Sequence, residues 1–183
     1  MSKLTILAIS GSLKSTSSNT NILRALSKLE TDQINFILFE GLDDFPHFNP
    51  EKEEGNDAVK IFRQLIQKAD GVVISTPEYA FGVPGTLKNA LDWTVSSGEF
   101  NEKPIIAISA SPMYEGGLKA MNSLLLTLSA LGTLMTEKSH LSIANILKKI
   151  TKEGELVDEQ TKLDLTEIFN HLIYKIKTRK RTS

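Results

Sequence analysis

The sequence predicts an α/β protein built on one parallel sheet with helices on both faces. Strand-like and helix-like periodicities alternate five times along the chain, an order that generates strand–helix–strand crossovers rather than hairpins. The strand candidates are near-continuous apolar runs, as strands covered on both faces must be. A length of 183 residues and a mass of 20.2 kDa suit a single domain spanning 1–183, because domains commonly run about 100–200 residues. Such a chain buries roughly 70% of its unfolded surface and needs no disulfide or metal to hold a core.

The first strand is Leu4-Thr5-Ile6-Leu7-Ala8-Ile9, closed by the turn residues Ser10-Gly11-Ser12. A helix from Asn19 onward carries Ile22, Leu23, Leu26 and Leu29 at helical spacing. Ile34–Phe39 is the second strand, and Asp43–Glu54, with Pro46 and Pro50, is a loop. Ala58, Ile61, Phe62, Leu65, Ile66 and Ala69 mark the second helix, and Gly71–Ser75 the third strand, broken by Pro77. A third helix begins near Pro84, a residue that suits a first helical turn, and runs through Leu87, Ala90, Leu91 and Trp93. Pro104–Ser109 is the fourth strand, and Leu118, Met121, Leu125, Leu128 and Leu131 the helix after it. Thr133–Thr136, extending to Glu137, is the expected fifth strand. The last helix shows Leu163, Leu165, Ile168, Phe169, Leu172, Ile173 and Ile176 on one side. Its basic end suits a helix C-terminus, with about 178–183 expected as a frayed, solvated tail.

Composition removes several function classes. With 21 Lys+Arg against 22 Asp+Glu, the chain lacks the basic excess of a dedicated nucleic-acid binder. It has no cysteine, which excludes disulfides, thiolate catalysis and Cys-ligated zinc or iron–sulfur clusters. Its histidines, His47, His140 and His171, lack the i,i+4 spacing of a helical metal site. The apolar run at the N-terminus is too short for a signal peptide, and no stretch approaches the roughly 20 apolar residues of a membrane span. The default expectation is a cytoplasmic protein with no membrane and no nucleic-acid partner.

In a parallel sheet of this kind ligands bind beyond the carboxyl ends of the strands, so the loops after strands one, three and four matter most. The first, Ser10–Thr20, holds seven hydroxyls, one amide and one cation in eleven residues. Backbone N–H groups, hydroxyls and a helix N-terminus together are what a terminal phosphate needs. The loop is neither a Walker A sequence nor G-x-G-x-x-G. It is either a phosphate cradle or a polar turn in which Ser18 or Asn19 caps the helix; its place at the end of strand one favours the cradle. The second, Ser75–Trp93, has two prolines, two glycines and the aromatics Tyr79 and Phe81. Those rings either hold a flat ligand or pack into the core or a subunit interface. The third, Ser109–Gly117, has small residues and paired glycines that permit close backbone approach; alone it reads better as an ordinary turn than as a site.

Gly11-Ser12-Leu13-Lys14 with Ser17 and Asn19, then Pro77-Glu78-Tyr79 with Pro84-Gly85, Leu87-Lys88-Asn89-Ala90 and Asp92-Trp93, resembles the NADPH-dependent FMN reductase family, which includes azobenzene, quinone and chromate reductases. The resemblance runs from about Leu4 to Leu131. It implies a flavodoxin-like three-layer sandwich with strand order 2-1-3-4-5, bound FMN, NADPH or NADH as electron donor, a small-molecule electron acceptor, and a homodimer or homotetramer. Carried over by position, Ser12, Ser17, Asn19 and Thr20 would hold the FMN phosphate, with Lys14 nearby and Ser10 also among the cofactor-binding residues. Pro77, Glu78, Tyr79 and Phe81 would line the isoalloxazine, Ser111 and Gly117 its other side, and the backbone amide of Ala80 would serve the flavin. Two positions depart from the family pattern. Lys14 stands where Arg is typical, keeping the charge without the planar fork, and Ala80 stands where Asn usually follows Pro-Glu-Tyr.

The expected activity is hydride transfer from a nicotinamide through FMN to a quinone, azo compound, free flavin or metal oxyanion. The cofactor carries that chemistry, so no residue is assigned as catalytic. A flavodoxin-type electron carrier is the rival reading, disfavoured by the net charge of -1 and by the Pro-Glu-Tyr segment. A flavin-binding regulatory or scaffold protein is a third.

Overall fold

The computed structural model describes residues 3–29, 33–52 and 55–182, with side chains to residue 180. Five strands, β1 (Leu4–Ser10), β2 (Ile34–Phe39), β3 (Gly71–Thr76), β4 (Ile105–Ala110) and β5 (His140–Ile143), form one sheet in the order β2-β1-β3-β4-β5. Every pair is parallel. The helices are α1 (Ser18–Ser27), α2 (Asp57–Lys68), α3 (Gly85–Asp92), α4 (Leu118–Ala130) and α5 (Glu159–Thr182). The flavodoxin-like sandwich and its strand order are therefore as the resemblance implies.

Strand alternation divides the core in two. Ile6, Ala8, Val73, Ile106 and Ile108 face α1 and α5, meeting Ile22, Leu23, Leu26, Leu165, Phe169 and Leu172. Leu7, Ile9, Val72, Ile74, Ile105 and Ala107 face the other way, against Phe62 and Ile66 of α2, Leu87 and Leu91 of α3, and Met121 and Leu124 of α4. All twelve residues of β3 and β4 are buried, which explains why their apolar runs are unbroken.

The fifth strand is not where the periodicity predicts it. Thr133–Thr136 makes only a single bridge, Pro104 with Leu134. The chain then turns, with the Ser139 amide donating to the Thr136 carbonyl at 2.9 Å, and sheet pairing starts at Ala107 with His140. His140 and Ser142 sit on an edge strand with one covered side, so their polarity hides the strand from a search for apolar runs.

Two ends of the fold are tied by polar contacts. In α3, Asn89 accepts from the Phe48 amide (2.7 Å) and donates to the Pro46 carbonyl (2.9 Å), and the Trp93 indole donates to the same carbonyl (3.0 Å). These residues of the Leu87–Trp93 motif thus hold the connection between β2 and α2 against the sheet. At the basic end of α5, Lys180 pairs with Asp70 at 2.8 Å and Arg179 with Glu102 at 3.9 Å. The side chains of 181–183 lie outside the described residues, as do Glu53 and Glu54 at the end of the expected loop.

Candidate active site

The strand order reverses between β2 and β3 on either side of β1, which opens a crevice at the carboxyl ends of β1 and β3. The first loop begins there. Gly11 donates from its amide to the Ser75 carbonyl at 2.7 Å, and a Cβ on it would stand 3.0 Å from both Leu87 Cδ2 and Thr76 Oγ1. Only glycine lets the first loop lie so close to the end of β3.

Ser17, rather than Ser18 or Asn19, is the N-cap of α1; its hydroxyl accepts from the Asn19 amide at 3.2 Å. The Ser10 and Thr20 hydroxyls meet at 2.8 Å, and the Ser12 hydroxyl accepts from the Lys14 amide at 3.3 Å. Ser10, Ser12, Ser17, Asn19 and Thr20 are all buried, while residues 13–16 are exposed. Among the described residues the backbone amides of Leu13, Ser15, Thr16 and Ser18 have no acceptor. Donors left open at a helix N-terminus form an anion cradle. A cleft of about 120 Å³ adjoins it, lined by Ser12, Lys14 and Thr20 on one side and Glu40 and Asp43 on the other.

Asn19 turns away from this cradle into the interior. Its Oδ1 accepts from the Ser75 hydroxyl at 2.9 Å and its Nδ2 donates to the Ala110 carbonyl at 3.1 Å. One side chain therefore fastens α1 to the ends of β3 and β4.

The second loop makes a tight hairpin. Tyr79 and Gly82 exchange backbone hydrogen bonds at 2.9 and 3.0 Å, with Ala80 at φ 48° and Phe81 at φ 64° between them. Two left-handed residues in a two-residue turn are the type I′ geometry, normally filled by Asn-Gly. The hairpin leaves Tyr79 56% and Phe81 68% exposed, so neither ring packs into the core of the chain. Pro77 accepts from the Thr76 hydroxyl at 2.9 Å.

Glu78 reaches across to α4. Its Oε2 accepts from the amides of Lys119 and Ala120, each at 3.0 Å, so a carboxylate from the second loop caps a helix that begins forty residues later. Gly117, at φ 79°, supplies no side-chain cap. A Cβ there would stand 3.3 Å from Ser109 Cβ and 3.6 Å from Glu78 Cβ; the left-handed backbone and the tight space both favour glycine. Ser111 is locked in place: its hydroxyl accepts from the Met113 amide at 3.1 Å and its own amide donates to the Ile143 carbonyl at 3.1 Å. Lys119 Nζ lies 3.8 Å from the centroid of the Phe81 ring, a cation–π contact.

All three loops thus converge at one end of the sheet, joined by Asn19 and Glu78. Sequence reading misses the partners Ser75, Ala110 and Lys119, because each belongs to an element distant along the chain and carries no local signal of its own.

The model for the NADPH-dependent FMN reductase family matches residues 4–148. The chain belongs to this family. Quinone reductase of Escherichia coli (strain K12) is 31% identical to this FMN reductase family member over 184 residues, covering 96% of this chain and 98% of that protein. NADPH azoreductase of Bacillus sp. (strain OY1-2) is 37% identical over 103 residues, covering 55% and 57% of the two chains. Among solved structures, the flavoenzyme NAD(P)H:(acceptor) oxidoreductase FerB of Paracoccus denitrificans superposes with a TM-score of 0.85 at 27% identity, covering 96% and 98%. The family match takes in all three loops and stops short of α5.

Proposed function

We propose that the protein is an FMN-dependent NAD(P)H oxidoreductase whose acceptor is a quinone, azo compound, free flavin or metal oxyanion, taken up by a ping-pong mechanism. The observation that carries this reading is the cradle of open amides at the N-terminus of α1, beside exposed aromatic rings. FMN presents a dianionic phosphate at one end and a flat ring at the other. Leu13, Ser15, Thr16 and Ser18 offer amides to such a phosphate, with Lys14 as the adjoining cation and Ser12 and Ser17 as nearby hydroxyls. Tyr79, Ala80 and Phe81 offer a rim for the ring, with Ser111 and Gly117 opposite. The residues present therefore fit the group.

When bound, FMN supplies the redox chemistry, accepting hydride from the nicotinamide and passing electrons to the acceptor. The chain's own residues bind and orient. Asn19 and Glu78 hold the loops in register, so binding orders little backbone. Tyr79 lies exposed where a planar substrate stacks. One open face between Pro77–Pro84 and Ser109–Gly117 serves donor and acceptor in turn. Exposed Val95 and Leu126 support a homodimer, which light scattering tests: a 20 kDa particle with full flavin occupancy and activity contradicts it. Among the described residues no helix is long and apolar enough to cross a membrane, in keeping with a cytoplasmic location.

The deciding experiment is anaerobic stopped-flow mixing of the flavin-loaded protein with NADPH and, separately, NADH. Bleaching of the flavin within seconds, followed by reoxidation with a quinone and parallel double-reciprocal lines in steady state, is the expected result. A flavin that stays oxidised for minutes with both donors, yet accepts electrons from a partner protein, makes the chain a carrier instead.

A further inference from the structure

We propose that Lys119 selects flat aromatic acceptors bearing an anionic substituent, a sulfonate or carboxylate, at the open side of this site. The proposal rests on the oxidoreductase reading above and adds a substrate class to it.

Lys119 Nζ sits over Phe81 at 3.8 Å from the ring centroid and forms no ion pair among the described residues. The carboxylates around it are engaged. Glu78 accepts from two amides at the start of α4, and Glu115 accepts from the Tyr114 hydroxyl at 3.3 Å. Lys88 of the second loop's helix is paired with Asp92. Lys119 is thus an ammonium whose contact is a ring face, a weak attraction at an exposed position. An anion brought within reach competes well for that charge.

The surroundings are apolar and aromatic. Phe81 lies beneath Nζ, and Tyr79 of the same hairpin, Met113 of the third loop and Leu118 in the first turn of α4 are exposed. A planar molecule lying on this rim buries its ring against apolar side chains while an anionic group on its edge meets Nζ. A neutral molecule of the same shape gains the first contact and not the second.

The experiment uses the FMN-loaded protein and two isosteric probes, naphthalene-2-sulfonate and naphthalene-2-sulfonamide, titrated by calorimetry at low ionic strength. The sulfonate should bind about fivefold more tightly to the wild type, the scale of one partly exposed charge contact. Lys119→Gln should bring the ratio to near one, Lys119→Arg should keep it, and Lys119→Glu should invert it. Raising the salt concentration should shrink the wild-type ratio, a readout that stands even if a variant fails to fold. In parallel, kcat/KM is measured for 1,2-naphthoquinone-4-sulfonate and 1,2-naphthoquinone, and the ratio between them should fall with Lys119→Gln. Equal affinity for the two probes in the wild type, a preference insensitive to salt, or a ratio that survives Lys119→Gln would each overturn the assignment. Turnover of the neutral quinone by the wild type reports on the oxidoreductase reading alone, so the two failures are distinct.

Discussion

Asn19 and Ser75 meet in the interior, the Ser75 hydroxyl donating to the Asn19 amide oxygen at 2.9 Å with 2% and 0% of the two residues exposed. The same amide donates to Ala110, so the side chain that resembles a phosphate ligand in the sequence is a tie between α1 and two strand ends. Asn19→Ala leaves a buried hydroxyl and a buried carbonyl without partners, and each such loss costs about 1–3 kcal/mol. Urea denaturation of the flavin-free protein should show it. Adding Ser75→Ala should cost less than the sum of the single changes, because the pair shares one bond. Full additivity would mean that the two residues act independently.

The turn at Ala80 and Phe81 is strained, since a left-handed residue other than glycine or asparagine costs about 1–2 kcal/mol. Ala80→Asn should therefore raise stability by about 0.5–1 kcal/mol. Thermal unfolding of the two proteins side by side measures it; a lower melting temperature in the variant contradicts the assignment of strain. The φ of 48° at this position also gives a physical reason for the asparagine usual in the family.

Phosphate recognition at the first loop makes FMN and riboflavin separable ligands. Riboflavin lacks the group that the open amides and Lys14 address. It should bind at least about tenfold more weakly, since one hydrogen bond to a charged group is worth about 1.5–3 kcal/mol. The purified protein should be yellow with one FMN per chain. Calorimetry giving equal affinities would remove the phosphate from the first loop.

His171 should leave a signature in the pH dependence of stability. Burial, with the charges of Lys175 and Lys138 beside it, lowers its pKa below the ordinary 6.5, while Thr136 Oγ1 lies 3.0 Å from its Nε2. Between the lowered folded value and 6.5 the unfolded chain binds more protons than the folded one. Stability contributed at this site therefore rises with pH through that window and levels off above about 6.5. The difference in urea midpoint between wild type and His171→Gln, followed from pH 4.5 to 7.5, should trace this rise. A difference that stays flat, or falls with pH, contradicts it.

The parts of the fold that can be read from the chain are those whose cause is local. The strands β1, β3 and β4 are apolar because both faces are covered, and α1 and α2 show their buried stripe at helical spacing. β5 escapes because an edge strand tolerates His140 and Ser142. The position of the three loops is legible from strand order, yet their internal wiring is not. Glu78 looks like a residue beside a substrate, and only the folded chain reveals that the amides of Lys119 and Ala120 receive its charge. Ser17 as the cap of α1, in place of Ser18 or Asn19, is a shift of one or two residues that a run of hydroxyls cannot resolve.

The family match ends at residue 148, but the packed core does not. Leu165, Ile168, Phe169, Leu172 and Ile176 of α5 are each 5% exposed or less, and they cover the sheet face that carries Val73, Ile106 and Ile108. A protein ended at the boundary of the family match would keep all three loops and lose the lid of half its core, presenting a broad greasy surface to water. Such a fragment should aggregate rather than bind flavin. The part of the chain that the family model matches is thus covered on one sheet face by a helix that the model leaves out.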